Sequence, residues 1–228
     1  MRVVLKYTRE ERVKYISHLD LMRAMQRAVR RADIPVAYSQ GFNPHPIMAF
    51  ASPLPVGVTS QAEYMDIVLE QPMSLPVLRE RLNHALPKGI GILDAAVVDD
   101  KAPSLMSMVE RADYRVTVHG FDWQQVLDAY NERTEILVEK RTKRKVTSVN
   151  LKDSIYSLQP DKESRDILYL SLSIGKKGSL PPGAVAEALL KLPEQNDKEN
   201  GSMVFIHRIG LYCRINGQWT TPLSMKRN

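Results

Sequence analysis

The chain alternates between two hydrophobic periods, and the order of that alternation constrains the fold more than any other feature. Arg2 to Thr8 repeats every second residue, with Val3, Leu5 and Tyr7 on one side, as a half-buried strand does. From Ser17 the repeat turns helical, and Leu21, Met22, Met25, Ala28, Val29 and Ala32 fall on one face. Ile47 to Ala51 reads as a short strand, and Ala62 to Glu70 alternates again, setting Met65, Ile67 and Leu69 against Tyr64, Asp66 and Val68. Leu75 to Leu86 is helical through Val77, Leu78, Leu82 and Ala85, Pro87-Lys-Gly89 stops it, and Gly91 to Val98 is a last strand. The order β-α-β-β-α-β is that of a ferredoxin-like unit over residues 1–100.

Residues 99–108 show no period, contain Pro103, and read as a linker. The same order then returns over 109–228, as a repeat of pattern and not of sequence. Ala112 to His119 is a strand with Tyr114, Val116 and Val118 inward, and Trp123 to Arg133 is a helix. Ile136 to Val138 and Val146 to Leu158 read as paired strands, and Ile167 to Ile174 alternates. Pro182 opens a helix to Leu192, and Met203 to Ile215 closes the unit. The expected fold class is α+β, with two tandem ferredoxin-like units.

Within this frame the stretch from Tyr15 to Gly57 concentrates chemistry-bearing residues. Ser17 is an N-cap, and Asp20 three residues on returns a hydrogen bond, a capping box. Arg23, Arg27, Arg30 and Arg31 fall roughly opposite the apolar face, and Pro35 ends the helix near Asp33. In Tyr38-Ser-Gln-Gly-Phe-Asn-Pro-His-Pro46, Gly41 permits unusual backbone angles while Pro44 and Pro46 stiffen the loop around His45. His18 lies in the first helical turn, where the positive helix end favours a neutral ring. Each of these has a bland reading: Asp20 as a cap, the histidines as satisfied loop residues, the arginines as a solvated face.

Two basic clusters follow. Lys140, Arg141, Lys143, Arg144 and Lys145 place five cations within six residues, and Gly175-Lys176-Lys177-Gly178-Ser179 precedes a helix start that would hold a phosphate. The second is not a nucleotide-binding P-loop, which needs Gly-x-x-x-x-Gly-Lys-Ser/Thr.

Charge supports a polyanionic partner without requiring one. The chain has 32 Lys and Arg against 26 acids; residues 1–108 carry 13 against 11 and 109–228 carry 19 against 15, so both parts are basic. A single cysteine, Cys213, excludes a disulfide framework, a thiolate zinc site and a cysteine-held iron–sulfur cluster. No apolar run reaches the roughly 18 residues of a bilayer span and no signal peptide opens the chain, so the expected setting is cytoplasmic, without a membrane partner. His-Glu-x-x-His, Gly-x-Ser-x-Gly and Gly-x-Gly-x-x-Gly are all missing, which argues against a metalloenzyme, a serine hydrolase and a dinucleotide enzyme.

RNA binding fits best, through Arg23, Arg27, Arg30, Arg31, Lys140, Arg141, Lys143, Arg144, Lys145, Lys176 and Lys177, with Tyr38 and Phe42 stacking bases and Gln40 and Asn43 beside them. The strands lack the aromatic signature of the common RNA-recognition fold, which directs RNA to another surface. A metal-independent endoribonuclease is the sharper alternative, with His18 and His45 as acid and base acting on the 2′-hydroxyl. A protein-only assembly adaptor is the bland one.

Tyr15-Ile-Ser-His-Leu-Asp-Leu-Met-Arg23, Tyr38-Ser-Gln-Gly-Phe-Asn-Pro-His-Pro46, Leu54-Pro-Val-Gly57 and Glu63-Tyr-Met-Asp66 together resemble the radical SAM-linked protein family, a domain found alone or fused behind a radical SAM enzyme. Gly175-Lys-Lys-Gly-Ser179 and Ile206-His-Arg-Ile-Gly-Leu-Tyr212 resemble its later motifs. The chain looks like the stand-alone form, since the Cys-x-x-x-Cys-x-x-Cys cluster motif is missing. The resemblance implies a radical SAM enzyme as partner, which would carry the iron–sulfur cluster and S-adenosylmethionine, while this chain has no cofactor of its own. It implies an accessory protein that binds RNA or presents substrate, in tRNA or rRNA modification. The Gly41–Pro46 loop is then either a docking surface or part of a composite site. At fold level the paired pattern is also similar to that of CRISPR repeat-processing endoribonucleases.

Overall fold

The computed structural model describes residues 1–141, 146–175, 180–193 and 203–225. They form two compact units, one of Met1–Glu110 with Gly210–Asn228 and one of Arg111–Ile209. The architecture is mixed α+β, its strands mostly antiparallel.

In the first unit, strand β1 (Arg2–Arg9) runs to helix α1 (His18–Arg31), then to β2 (Met48–Phe50), β3 (Thr59–Val68), α2 (Leu75–Ala85) and β4 (Ile92–Val98). Strand β1 lies between β3 and β4, antiparallel to both, and β2 pairs antiparallel with β3. Register fixes the faces. Leu5 is opposite Met65 and Ala95, Val3 opposite Ile67, and with Tyr7 these pack under Leu21, Met25 and Val29 of α1 and Leu78 and Leu82 of α2. Each such aliphatic side chain contributes about 1.5–3 kcal/mol on burial.

The other face of this sheet is covered as well. Val4, Ala62, Ala96 and Val98 are all buried. Helix α3 (Leu105–Met108) lies against β2 and β3, and the 3-10 turn Pro222–Met225 lies against β1 and β4. Residues 99–108, expected as a linker, are therefore held to the unit. Leu105 is buried, and the Arg2 guanidinium donates to the carbonyls of Ala102 and Pro103 at 2.5 and 3.1 Å while binding Asp66 Oδ2 at 2.5 Å.

The second unit takes up β5 (Val109–Val118) from residue 111, then α4 (Trp123–Glu132), β6 (Leu137–Arg141), β7 (Val146–Asn150), β8 (Ile155–Pro160), β9 (Ile167–Ser173) and α5 (Pro182–Leu190). Strand β10 (Val204–Ile215) supplies residues 204–209 to this unit and 210–215 to the first, where β11 (Gln218–Thr220) pairs back on it. By contacts Gly210–Asn228 thus group with the first unit, whereas the sequence pattern assigned them to the second. The strand order is β10-β5-β9-β8, with β6-β7 a separate two-stranded hairpin.

The run Val146–Leu158, read from sequence as one strand, is two. The Asn150 side chain accepts from the Ile136 and Lys152 amides at 3.1 and 3.2 Å, Leu151 is wholly buried, and a 3-10 turn at Leu151–Ser154 redirects the chain so that β8 joins β9.

Candidate nucleic-acid interface

Helix α1 starts where the capping pattern places it. Ser17 Oγ accepts from the Asp20 amide at 3.1 Å and donates to Asp20 Oδ2 at 2.7 Å. The return bond thus goes to the hydroxyl, because an aspartate is one methylene shorter than the glutamate that reaches the cap amide. Leu21, Met25, Ala28 and Val29 are buried, while Arg23, Arg27, Arg30 and Arg31 are exposed. Arg23 pairs with Asp20 at 3.6 Å, and Arg31 donates to the Ala85 carbonyl at the end of α2 at 2.5 Å. Arg27 and Arg30 make no ion pair among the described residues.

The two histidines have different surroundings. His18 is half-buried, its ring edge-on to Phe50 at 5.1 Å, and Phe50 in turn meets Tyr7 at 6.3 Å. His45 is exposed, with Nδ1 2.9 Å from Ser39 Oγ and 3.4 Å from the Asn43 carbonyl, while its amide donates to Ser39 Oγ at 3.1 Å. No hydrogen bond or ring contact links the two among the described residues.

The loop is pinned at its base and free at its tip. The Ser39 amide donates to the His45 carbonyl at 2.9 Å, Tyr38 bridges to Pro46, and the Ile47 amide reaches the Ala37 carbonyl at 2.7 Å. Gly41 has φ +129°, a backbone state that L side chains rarely adopt. Gln40, Phe42 and Asn43 project from this tip, and Phe42 is fully exposed.

One residue that organises this region went unremarked in the sequence. Arg9 is wholly buried, and its guanidinium donates to the carbonyls of Leu54, Val13 and Ile16 at 3.4, 3.4 and 3.0 Å. It joins the segment leading into α1 to the Leu54–Gly57 turn, which the Gly57 amide also ties to the Lys14 carbonyl at 2.8 Å. The signal was parity: Arg9 continues the inward face Val3, Leu5, Tyr7.

In the second unit Lys140 is half-buried in β6, opposite Thr147, and Arg141 ends that strand. Lys143, Arg144, Lys145, Lys176 and Lys177 lie outside the described residues.

The unit's sheet offers a further surface. Along β5, Ala112, Tyr114, Val116 and Val118 point into the core, so Asp113, Arg115, Thr117 and then His119 point out. Tyr169 on β9 is directly opposite Arg115 and Gln159 of β8, and is 38% exposed, as is Phe205 on β10. The Phe205 ring lies 5.6 Å from that of His119. His119 Nδ1 is 3.1 Å from Asp166 Oδ2, and Ser164 Oγ donates to Asp166 Oδ1. These bonds from Ser164 and His119 hold the Asp166 carboxyl below its ordinary pKa. Burial, and then the charge of Arg115, pushes the His207 pKa down. Toward Arg111 the face closes: Ser171 and Ser173 are buried, and Asp113 is held by Arg111 at 2.8 Å and Ser171 at 2.6 Å.

Among the described residues no group of three or more His, Cys, Asp or Glu side chains is arranged to hold a metal ion, and no helix is long and apolar enough to cross a membrane.

Fold and site together define an α+β protein with exposed cations on a helix of one unit and an exposed aromatic and basic sheet face on the other. Residues 2–182 match the family described as an uncharacterized protein conserved in bacteria (DUF2344), and the chain belongs to that family. Among curated proteins none matches. A solved structure with some likeness is that of the first two RRM domains of yeast poly(U) binding protein, at 12% identity over 90% of this chain and 98% of that one, with a TM-score of 0.20. A likeness that loose carries no weight below.

Proposed function

We propose that this chain is an RNA-binding, substrate-presenting accessory protein that works with a radical SAM enzyme in tRNA or rRNA modification, built on two ferredoxin-like units. The observation that carries the RNA part is Arg27 and Arg30, exposed and without ion pairs among the described residues, on a helix whose other face is locked into the core. A guanidinium held on a rigid helix and not neutralised by a neighbour is suited to phosphate, because displaced counterions drive the contact. The strand order β4-β1-β3-β2 in one unit and β10-β5-β9-β8 in the other supports the ferredoxin-like reading. The radical SAM partner rests on the motif resemblance; cluster and S-adenosylmethionine would belong to that partner, and the setting would be the cytoplasm.

We prefer this to a nuclease because His18 is edge-on to Phe50 and His45 is engaged by Ser39, with no hydrogen bond or ring contact joining them among the described residues. The test is tRNA binding by the full chain as salt is raised. The double variant Arg27→Glu, Arg30→Glu should bind more weakly at every salt concentration, with its log–log salt slope reduced by about 2. Binding that ignores salt, or no binding at all, would end the RNA reading. Crosslinking in cytosol should join the chain to a protein bearing Cys-x-x-x-Cys-x-x-Cys; RNA binding with no such partner would remove the radical SAM part alone.

A further inference from the structure

We propose that the open sheet face of the second unit is a stacking platform for unpaired RNA bases, centred on Tyr169 and Phe205 with Arg115 between their strands. This deepens the RNA-binding reading and rests on it. It also names a surface that no basic cluster in the sequence marks.

The chemistry follows from side chains in register. Tyr169 of β9 and Arg115 of β5 are directly opposite, so a ring and a guanidinium lie side by side on the same face. On the far side of β5, Phe205 and His207 occupy successive outward positions of β10, and Met203, 68% exposed, precedes them with the same parity. His119 meets Phe205 at 5.6 Å, so the rings extend past the end of β5. Two aromatic rings flanking an arginine on a rigid sheet present π-faces at spacings set by backbone hydrogen bonds, which accept successive bases whatever their sequence.

Charge favours nucleic acid over an acidic or neutral protein surface. Among the described residues the carboxylates of Asp113, Asp166 and Asp161 on this side are engaged, Asp113 by Arg111 and Ser171, Asp166 by Ser164 and His119, and Asp161 by the amides of Glu163 and Ser164. Arg115 is exposed and makes no ion pair among the described residues, so it is available to a phosphate or a base edge. A paired helix would not use this face, because its bases are not available to stack.

Binding of the full chain to a short unstructured RNA, to the same RNA with abasic positions, and to a fully paired duplex tests this. Tyr169→Ala and Phe205→Ala should each weaken unstructured RNA about tenfold while leaving duplex binding unchanged, and Tyr169→Phe should retain wild-type affinity. The abasic strand should bind wild type at least about tenfold more weakly than the intact strand does, a comparison that holds even if an alanine variant folds poorly. Equal affinity for intact and abasic strands, with binding still lost in Arg27→Glu, Arg30→Glu, would overturn the platform and leave the RNA reading standing. Failure of every RNA to bind would overturn both. A concentration-dependent dimer abolished by Phe205→Ala would make the face a self-association surface and overturn the proposal too.

Discussion

The strands of the two units are ordered alike and their faces are finished differently. In the first unit helices cover one face, while α3 and the Pro222–Met225 turn cover the other, so β3 is buried at six consecutive positions from Ala62 to Ile67. In the second unit β5 alternates buried and accessible positions from Tyr114 to Val118, and its outward residues there, Arg115 and Thr117, are basic and polar. A sheet closed on both faces is a core. One with an accessible face has a surface to spend on recognition. The first unit then presents its candidate contacts on the helix and loop, the second on the strands themselves.

The largest effect that would break this contrast is a charge placed on each face. Ala96→Asp, at 2% exposure in the first unit and directly opposite the buried Val4, should destabilise by about 3–5 kcal/mol in urea unfolding, because a carboxylate there loses its water. Thr117→Asp, on the accessible face, should cost no more than about 0.5 kcal/mol. Equal costs would mean that the strands of the second unit are as closed as those of the first.

Next come the ion pairs. Arg2 and Asp66 are 11% and 9% exposed, so Asp66→Ala should cost about 3 kcal/mol by stranding a guanidinium. Arg111 and Asp113 are 25% and 16% exposed, and Arg111→Ala should cost about 1 kcal/mol. The same denaturation series reads both, and a reversed order would contradict the contrast.

A smaller effect sharpens the picture of the accessible face. The His207 pKa in the folded chain lies below its ordinary 6.5, so the unfolded chain binds more protons as acid is added. The contribution to stability is fully present above that value and is lost as pH falls through the folded one. His207→Gln should flatten the stability–pH curve in that window. Smallest of all, Phe42→Ala should leave stability within about 0.5 kcal/mol, because the ring touches no core.

Much of the local structure was legible because each feature has a local cause. Ser17, the helical apolar repeat and Pro35 delimit α1 almost to the residue. The long-range closures were not legible. Asp66 alternates with Met65 and Ile67 as a solvent-facing residue would, yet it is buried by Arg2, more than sixty residues earlier in the chain. Residues 99–108 lack any period because a four-residue helix is too short to show one. Arg9 escaped notice since an arginine on an inward register reads as a strand end. Tyr169, Phe205 and Arg115 were readable by parity in their strands, but no cluster drew attention to residues that only sheet pairing brings together.

The most direct test of the account is photocrosslinking of the full chain to an unstructured RNA carrying thiouridine, followed by identification of the attached peptides. Crosslinks are predicted on peptides containing Tyr169 and Phe205 in the second unit, and on the Arg27–Arg30 segment in the first. RNA that crosslinks efficiently but never to those two strands would contradict it.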